Sequence, residues 1–194
     1  MWERELNTPK NPQILKAHWV QGKTLMFRNA DVTDAAFILS LRSDSNKSRY
    51  LSRTSPELSQ QVAWLNDYAG KTDQAYFIIE AKQGVSLGTV RIYNAQADSF
   101  SWGSWILKDG APQSAAIESA LMVYSYATDH LGFRAAHFDV RKGNENVWRF
   151  HERFGAERVG ETEDDYLYQI DIEKILVTRF KYKRYLPEIV TIGW

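Results

Sequence analysis

The stretch "NENVWRFHERFGAERVGE", residues 144–161, decides how this chain is read. It reads as a short helix over 144–154 that runs into the turn "RFGAERVG", with Val147, His151 and Phe154 sharing one helical face. A histidine on an inward face is more often a satisfied core residue than a catalyst, so His151 is open to both readings. Asn144 is equally divided between a helix N-cap and a binding residue, and Trp148, on the opposite side, reads as packing.

Working outward, "AAHFDVR" (135–141) reads as the strand that leads into this helix. Before it, "QSAAIESALMVYSYATDHL" (113–131) is a helix with Ile117, Ala120, Leu121, Tyr124, Thr128 and Leu131 on one face and Gly132 at its C-terminus. A strand, a long helix and another strand imply a parallel crossover. Upstream, "AYFIIEAK" (75–82), "SLGTVRIYN" (86–94) and "SFSWGSWILK" (99–108) form a sequential antiparallel meander. "TLMFR" (24–28) is a further strand, and Asp31, with Asp34 three residues on, caps a helix that buries Ala35, Ile38, Leu39 and Leu41. Ser55, Pro56 and Glu57 start a second helix with Leu58, Val62, Leu65 and Ala69 at helical spacing, and "DDYLYQIDI" (164–172) is the last strand.

The order is β α α β β β α β α β, which predicts a mixed α/β fold of α+β character. Its central sheet is mostly antiparallel with one parallel pair, flanked by helices. Residues 1–22 are expected as a lead-in lying on the surface, 23–172 as the domain, and 173–194, with the strip "RFKYKRY", as a basic aromatic extension packing on it as a solvated or interface strand.

The totals bound the function. With 194 residues the chain is long enough for one domain with a real core. Net charge is zero, so no broad field draws it to nucleic acid or anionic lipid. There is no cysteine, which excludes disulfides, thiolate metal sites and a cysteine nucleophile. The N-terminus has no apolar core of signal-peptide length and no run of about 18 apolar residues occurs, so a cytoplasmic location is expected. His18, His130, His137 and His151 lack ligand spacing, and no metal is expected.

The loop "DGAPQSAAIES" (109–119) feeds a helix N-terminus, where free backbone N–H groups and the helix dipole favour an anion. Its small residues let a ligand approach, although it has no Gly-x-Gly run.

Taken together, "NENVWRFHERFGAERVGE", "WILK", "SAAIESAL" and "SRYLSRTSPELSQQVAWL" resemble segments of the GNAT superfamily of acetyl-CoA-dependent N-acetyltransferases over residues 24–170. The branch in view includes ribosomal-protein N-terminal and nucleotide-sugar amine acetyltransferases. The resemblance implies an acyl-CoA fold with a splayed parallel pair, strands 99–108 and 135–141, that admits the pantetheine arm. It implies cofactor contacts at Trp105, Ile106, Leu107 and Lys108, at Gln113, Ser114, Ala115, Ala116 and Ile117, and at Asn144. The family's loop is Arg/Gln-x-x-Gly-x-Gly/Ala; here Ala111, Ser114 and Ala116 stand at those places, leaving Lys108 or Gln113 to replace the arginine.

His151 stands where the family has its general-acid tyrosine. A histidine can donate a proton from either ring nitrogen, with reference pKa values of about 6.5 for His and about 8.5 for a thiol. Arg42, Arg49, Tyr50 and Trp102 are the acceptor-binding candidates, since guanidinium groups suit phosphate or carboxylate and aromatic faces suit sugar or base rings. Glu80 is the candidate base. The implied reaction is direct acetyl transfer to a primary amine, of a nucleotide-linked amino sugar or another small molecule. A protein N-terminus, a non-catalytic acetyl-CoA-binding module, an interaction domain using the aromatic tail, and a homodimer stay open.

Overall fold

A capping box sets the first helical turn: the Asp31 side chain accepts from Thr33 N, and the Asp34 carboxylate accepts from Asp31 N at 2.9 Å. A single 3-10 turn there leads into helix α1, Ala35–Ser43. The computed structural model describes residues 11–44, 50, 55–186 and 189–194. Within them α2 is Leu58–Gly70, α3 Ala115–Ser125, α4 Glu145–Arg153 and α5 Ile172–Lys181.

Among the described residues the nine strands are β1 Trp19–Gln21, β2 Leu25–Asn29, β3 Ala75–Ala81, β4 Ser86–Gln96, β5 Ser99–Leu107, β6 Ala135–Arg141, β7 Glu157–Glu161, β8 Asp165–Asp171 and β9 Thr191–Gly193. They form one sheet in the order β7-β8-β6-β5-β4-β3-β2-β1-β9. Every neighbouring pair is antiparallel except β5 and β6. The mixed α/β class and the single parallel pair are as the sequence predicts.

The two faces of the sheet differ. On one, Tyr76 and Ile78 of β3 pack with Ile38 of α1 and Leu65 and Tyr68 of α2. On the other, Phe77, Ile79, Val90, Ile92 and Phe100 meet α3, with Phe154 and Ile175 in the same cluster. Helix α3 is buried on all sides, from Glu118 to Ser125, rather than on the one face its periodicity indicates. Its continuation, Tyr126–His130, is a π-helical turn rather than the last turn of an α-helix, and Gly132 follows at φ 84°.

The surface lead-in is corrected for residues 11–22, residues 1–10 of it lying outside the described residues. Ile14, Ala17 and Val20 are buried, Tyr126 Oη donates to Leu15 O at 2.5 Å and accepts from Ala17 N, and β1 pairs with β2. The basic strip is also not a strand: it is the end of α5 and the turn beyond it, and the edge strand β9 lies further on. Three strands escaped the sequence reading, β1, β7 and β9. Two are three residues long, and β7 is exposed along almost its whole length, so none presents an apolar alternation.

Candidate active site

The site begins where β5 and β6 part. Their parallel pairing holds only at Ser99↔Ala135 and Phe100↔Ala136. Beyond that, all seven residues of β6 pair with β8, which fixes its course away from β5. On the β5 side the register with β4 slips between Thr89↔Ile106 and Arg91↔Gly103, which places one extra residue on β5. Ser104 takes up the irregularity at φ 46°, and its carbonyl is held by the Thr89 hydroxyl at 2.8 Å. Gly88 lies beside it: a Cβ there would stand 2.1 Å from Ile106 O, so only glycine permits this close approach. The β5 edge past Phe100 therefore carries backbone groups with no strand partner on the β6 side.

The wedge opens into a cavity of about 290 Å³. Its walls come from both faces of the sheet. Trp102, Trp105, Phe138 and His151 line it from the α3/α4 face. Tyr93, Gly103 and Asp139 line it from the other, and Tyr50 closes it beside Gly143, where a Cβ would come within 3.0 Å of the Tyr50 ring.

The β5–α3 loop continues from the far end of β5. Lys108 N bonds to Leu87 O, Ala115 N to Pro112 O and Glu118 N to Ser114 O. Among the described residues the amides of Gln113, Ser114, Ala116 and Ile117 have no hydrogen-bond acceptor, as expected of a helix N-terminus able to receive an anion. The buried Glu118 does not occupy that role. Its carboxylate accepts from Thr24 N, Thr24 Oγ1 and Leu25 N and ties the start of α3 to β2.

His151 is almost fully buried and lies inside an aromatic box. Its ring centroid is 4.3 Å from Phe138, 5.1 Å from Trp102, 5.7 Å from Phe150 and 6.3 Å from Trp105. Burial lowers its pKa from 6.5 to about 3. An apolar box with no anion disfavours the imidazolium, so the ring is neutral at physiological pH. Nδ1 is buried and makes no hydrogen bond, an orphaned polar atom on the wall of the cavity. Gly155, closing α4 at φ 93°, lets the chain turn so that His151 O accepts from both Phe154 N and Ala156 N.

Asn144 lies at the N-cap position of α4, yet its side chain makes no capping bond and instead lines the cavity. Trp105 lines it too, anchored by Nε1 donating to Ser119 Oγ at 3.1 Å, while Ile106 and Leu107 continue β5 away from it. Trp148 packs edge-on against Tyr166 and donates to Lys142 O.

Glu80 and Arg42 are not among the residues that line the cavity. Glu80, on β3, accepts from Arg28 Nε at 3.0 Å, while Arg28 also donates two hydrogen bonds to the Asp34 carboxylate, at 2.7 and 3.0 Å. It is a buried network member, not a base facing a substrate. Arg42 ends α1, near enough to Tyr76 for its charge to oppose the rise that burial imposes on that hydroxyl. Arg49 lies outside the described residues. Trp102 is present but 4% exposed, part of the core wall.

Asp139 and Tyr93 were missed. Both stand on strands whose alternation separates them from the core residues Phe138 and Ile92, so the period-two pattern of "AAHFDVR" and "TVRIYN" was the available signal. They are electrostatic neighbours: burial, then the charge of Asp139, pushes the Tyr93 hydroxyl up. Among the described residues no group of three or more His, Asp or Glu could hold a metal, and no helix is long and apolar enough to cross a membrane.

A family model for an acetyltransferase (GNAT) domain matches residues 24–157. Among solved structures, apo FdhC, a nucleotide-linked sugar GNAT, is 34% identical over 89% of this chain and 97% of its own, with a TM-score of 0.77. A GCN5-related N-acetyltransferase from Brucella melitensis superposes with a TM-score of 0.76 at 17% identity, covering 90% and 88% of the two chains. Spermidine N-acetyltransferase from Vibrio cholerae, in complex with CoA and spermine, gives 0.69 at 18% identity over 79% and 98%. The search of curated proteins found no match. The open wedge, the free amides at the start of α3 and the family match over most of the chain agree, and the chain belongs to the GNAT acetyltransferases.

Proposed function

We propose that this enzyme transfers acetyl from acetyl-CoA directly to a primary amine of a nucleotide-linked amino sugar. The observation that carries the reading is the β5–β6 wedge, whose cavity is lined from both faces of the sheet. Its lining has two sides: one toward α3 and α4, and one of Tyr50, Tyr93 and Asp139. The sugar-nucleotide choice is supported by the 34% identity to a nucleotide-linked sugar GNAT.

The residues on the first side fit acetyl-CoA. The free amides between Gln113 and Ile117 suit a diphosphate, with Lys108 or Gln113 in place of the family's arginine, and the free β5 edge with the uncapped Asn144 side chain suits the pantetheine amides. When bound, acetyl-CoA supplies a thioester carbonyl that an amine can attack. The amine nitrogen forms the N–C bond and the C–S bond breaks. Asp139 is placed to hold the incoming ammonium and to take its proton toward solvent, a role the sequence reading gave to Glu80. The sulfur departs as thiolate and is protonated from water, because a neutral imidazole is far too weak an acid to supply that proton. His151 can instead donate or accept one hydrogen bond through Nδ1 while keeping the box dry.

The test is thiol release from acetyl-CoA with a panel of amines: nucleotide-linked amino sugars, free amino sugars, polyamines and peptide N-termini. Turnover confined to the first group is expected, and turnover only of peptides or polyamines overturns the acceptor assignment. The missing loop arginine favours one second reading, a module that binds acetyl-CoA without turning it over. A thermal shift with CoA and no thiol release with any amine would establish it. Binding at 100 times Kd adds about 2.7 kcal/mol.

A further inference from the structure

Arg91 has no salt-bridge partner for its guanidinium among the described residues. It lies on β4, on the α1/α2 face with Thr89 and Tyr93, and its guanidinium sits over the Trp64 ring at 5.5 Å and the Tyr93 ring at 4.9 Å. Among the described residues the guanidinium makes no hydrogen bond and no ion pair, and its Nε is buried with no partner. Arg28, on the same face, shows the alternative: it is bonded by both Asp34 and Glu80. Desolvation lowers the Arg91 pKa, opposed by the charge interactions of the Tyr93, Tyr76 and Tyr68 hydroxyls and of Asp73, with which it forms no salt bridge among the described residues. A partly desolvated, stacked and unpaired guanidinium is an unfavourable arrangement unless a ligand supplies the missing acceptor. Stacking also fixes the plane of the fork, which suits two oxygens of one anion.

Position links this residue to the wedge. Arg91 is registered directly against Gly103, and Gly103 and Tyr93 both line the cavity. With strands about 4.8 Å apart, the Arg91 backbone stands one strand spacing from Gly103, and its guanidinium lies over the ring of the cavity residue Tyr93. A sugar ring bridges a gap of that order.

We propose that Arg91, held between Trp64 and Tyr93, receives the phosphoryl oxygens of the acceptor, so that the amine acceptor of this enzyme is a phosphate ester or nucleoside diphosphate sugar. This inference rests on the acetyltransferase reading and deepens it. It also disfavours polyamines, whose charges repel a guanidinium.

The experiment is calorimetric titration of UDP, dTDP and inorganic pyrophosphate into protein saturated with CoA, so that a probe cannot occupy the cofactor's own diphosphate cradle. Pyrophosphate serves as the base-free probe. The wild type is expected to bind at least one of them. Arg91→Met should weaken that binding at least tenfold, Arg91→Lys should restore part of it, and both variants should keep wild-type CoA affinity, which certifies their fold. No binding of any probe to the CoA-loaded wild type, or equal binding by Arg91→Met, overturns the inference. Succinate is titrated alongside as the carboxylate control, and its binding in preference to pyrophosphate overturns the phosphate assignment in favour of a carboxylate. Failure to bind CoA at all sinks the transferase reading, a different and separately visible result.

Discussion

The imidazole of His151 and the ring of Phe138 lie 4.3 Å apart, centroid to centroid, with their planes 43° from one another. Trp102 and Phe150 close the box, at 5.1 and 5.7 Å. The arrangement makes His151 a stability element whose sign is set by pH. Its folded pKa, about 3, is depressed below the unfolded value near 6.5. The stabilisation is therefore fully present above pH 6.5 and is lost as pH falls from there toward 3, because only the unfolded chain takes up the proton. About 2 kcal/mol should be gone by pH 5. Urea unfolding at pH 7.5 and pH 5 checks this: the loss should be clearly smaller in His151→Phe, and an equal loss in both proteins would show that the ring is not held neutral.

The same box governs activity. A neutral His151 contributes no limb to the pH–rate profile between pH 5 and 9, so His151→Phe should change the height of the kcat profile without moving its inflections. Steady-state rates across that range decide it, and the disappearance of a limb near pH 6.5 in the variant would restore the charged-acid role.

Asp139 and Glu80 separate chemistry from scaffold. Asp139 lines the wedge, whereas Glu80 is bonded to Arg28. Asp139→Asn should lower kcat about a hundredfold, in the lower range for loss of a general base. Glu80→Gln should leave kcat unchanged while lowering stability by about 1–3 kcal/mol, since it weakens a bond to a charged partner. Parallel kinetics and denaturation of the two variants read this out, and the reverse pattern would reinstate Glu80.

Much of this was legible in the sequence because it follows from pattern. Alternation in 75–82, 86–94 and 99–108 gave the meander, the strand-helix-strand order gave the parallel pair, and the Asp31/Asp34 spacing gave the capping box. What stayed hidden depends on partners distant in sequence. Glu80 looks like any strand carboxylate until Arg28, 52 residues earlier, is placed beside it. The His151 box needs β5, β6 and α4 together. Arg91 differs from an ordinary surface arginine only in what is missing around it.

Asn144 distinguishes a helix cap from a ligand contact. Its side chain makes no capping bond, so Asn144→Ala should change stability by no more than about 0.5 kcal/mol, as for a surface residue, rather than the ~1 kcal/mol of a lost cap. If its amide holds the pantetheine arm, the same change should weaken CoA binding about 2–10-fold, the equivalent of one neutral hydrogen bond. Thermal unfolding and CoA titration give the two numbers, and a stability loss with unaltered CoA affinity would return Asn144 to the role of a cap.

Gly88 carries the most demanding geometry at the wedge. A methyl group there meets the Ile106 carbonyl oxygen at 2.1 Å, a backbone atom that cannot rotate aside. Gly88→Ala must therefore push β4 and β5 apart beside the Ser104 irregularity, the feature that turns the β5 edge free of its neighbour. Overpacking of this kind costs about 1–3 kcal/mol, and for a chain of this size each kcal/mol lowers Tm by about 2–4 °C. The variant should melt several degrees lower and lose CoA affinity in the same step, because the displaced strand is the one expected to bind the pantetheine. Differential scanning calorimetry with and without CoA measures both effects. A variant that melts lower yet binds CoA with wild-type affinity would show that the cofactor does not depend on the shape of β5.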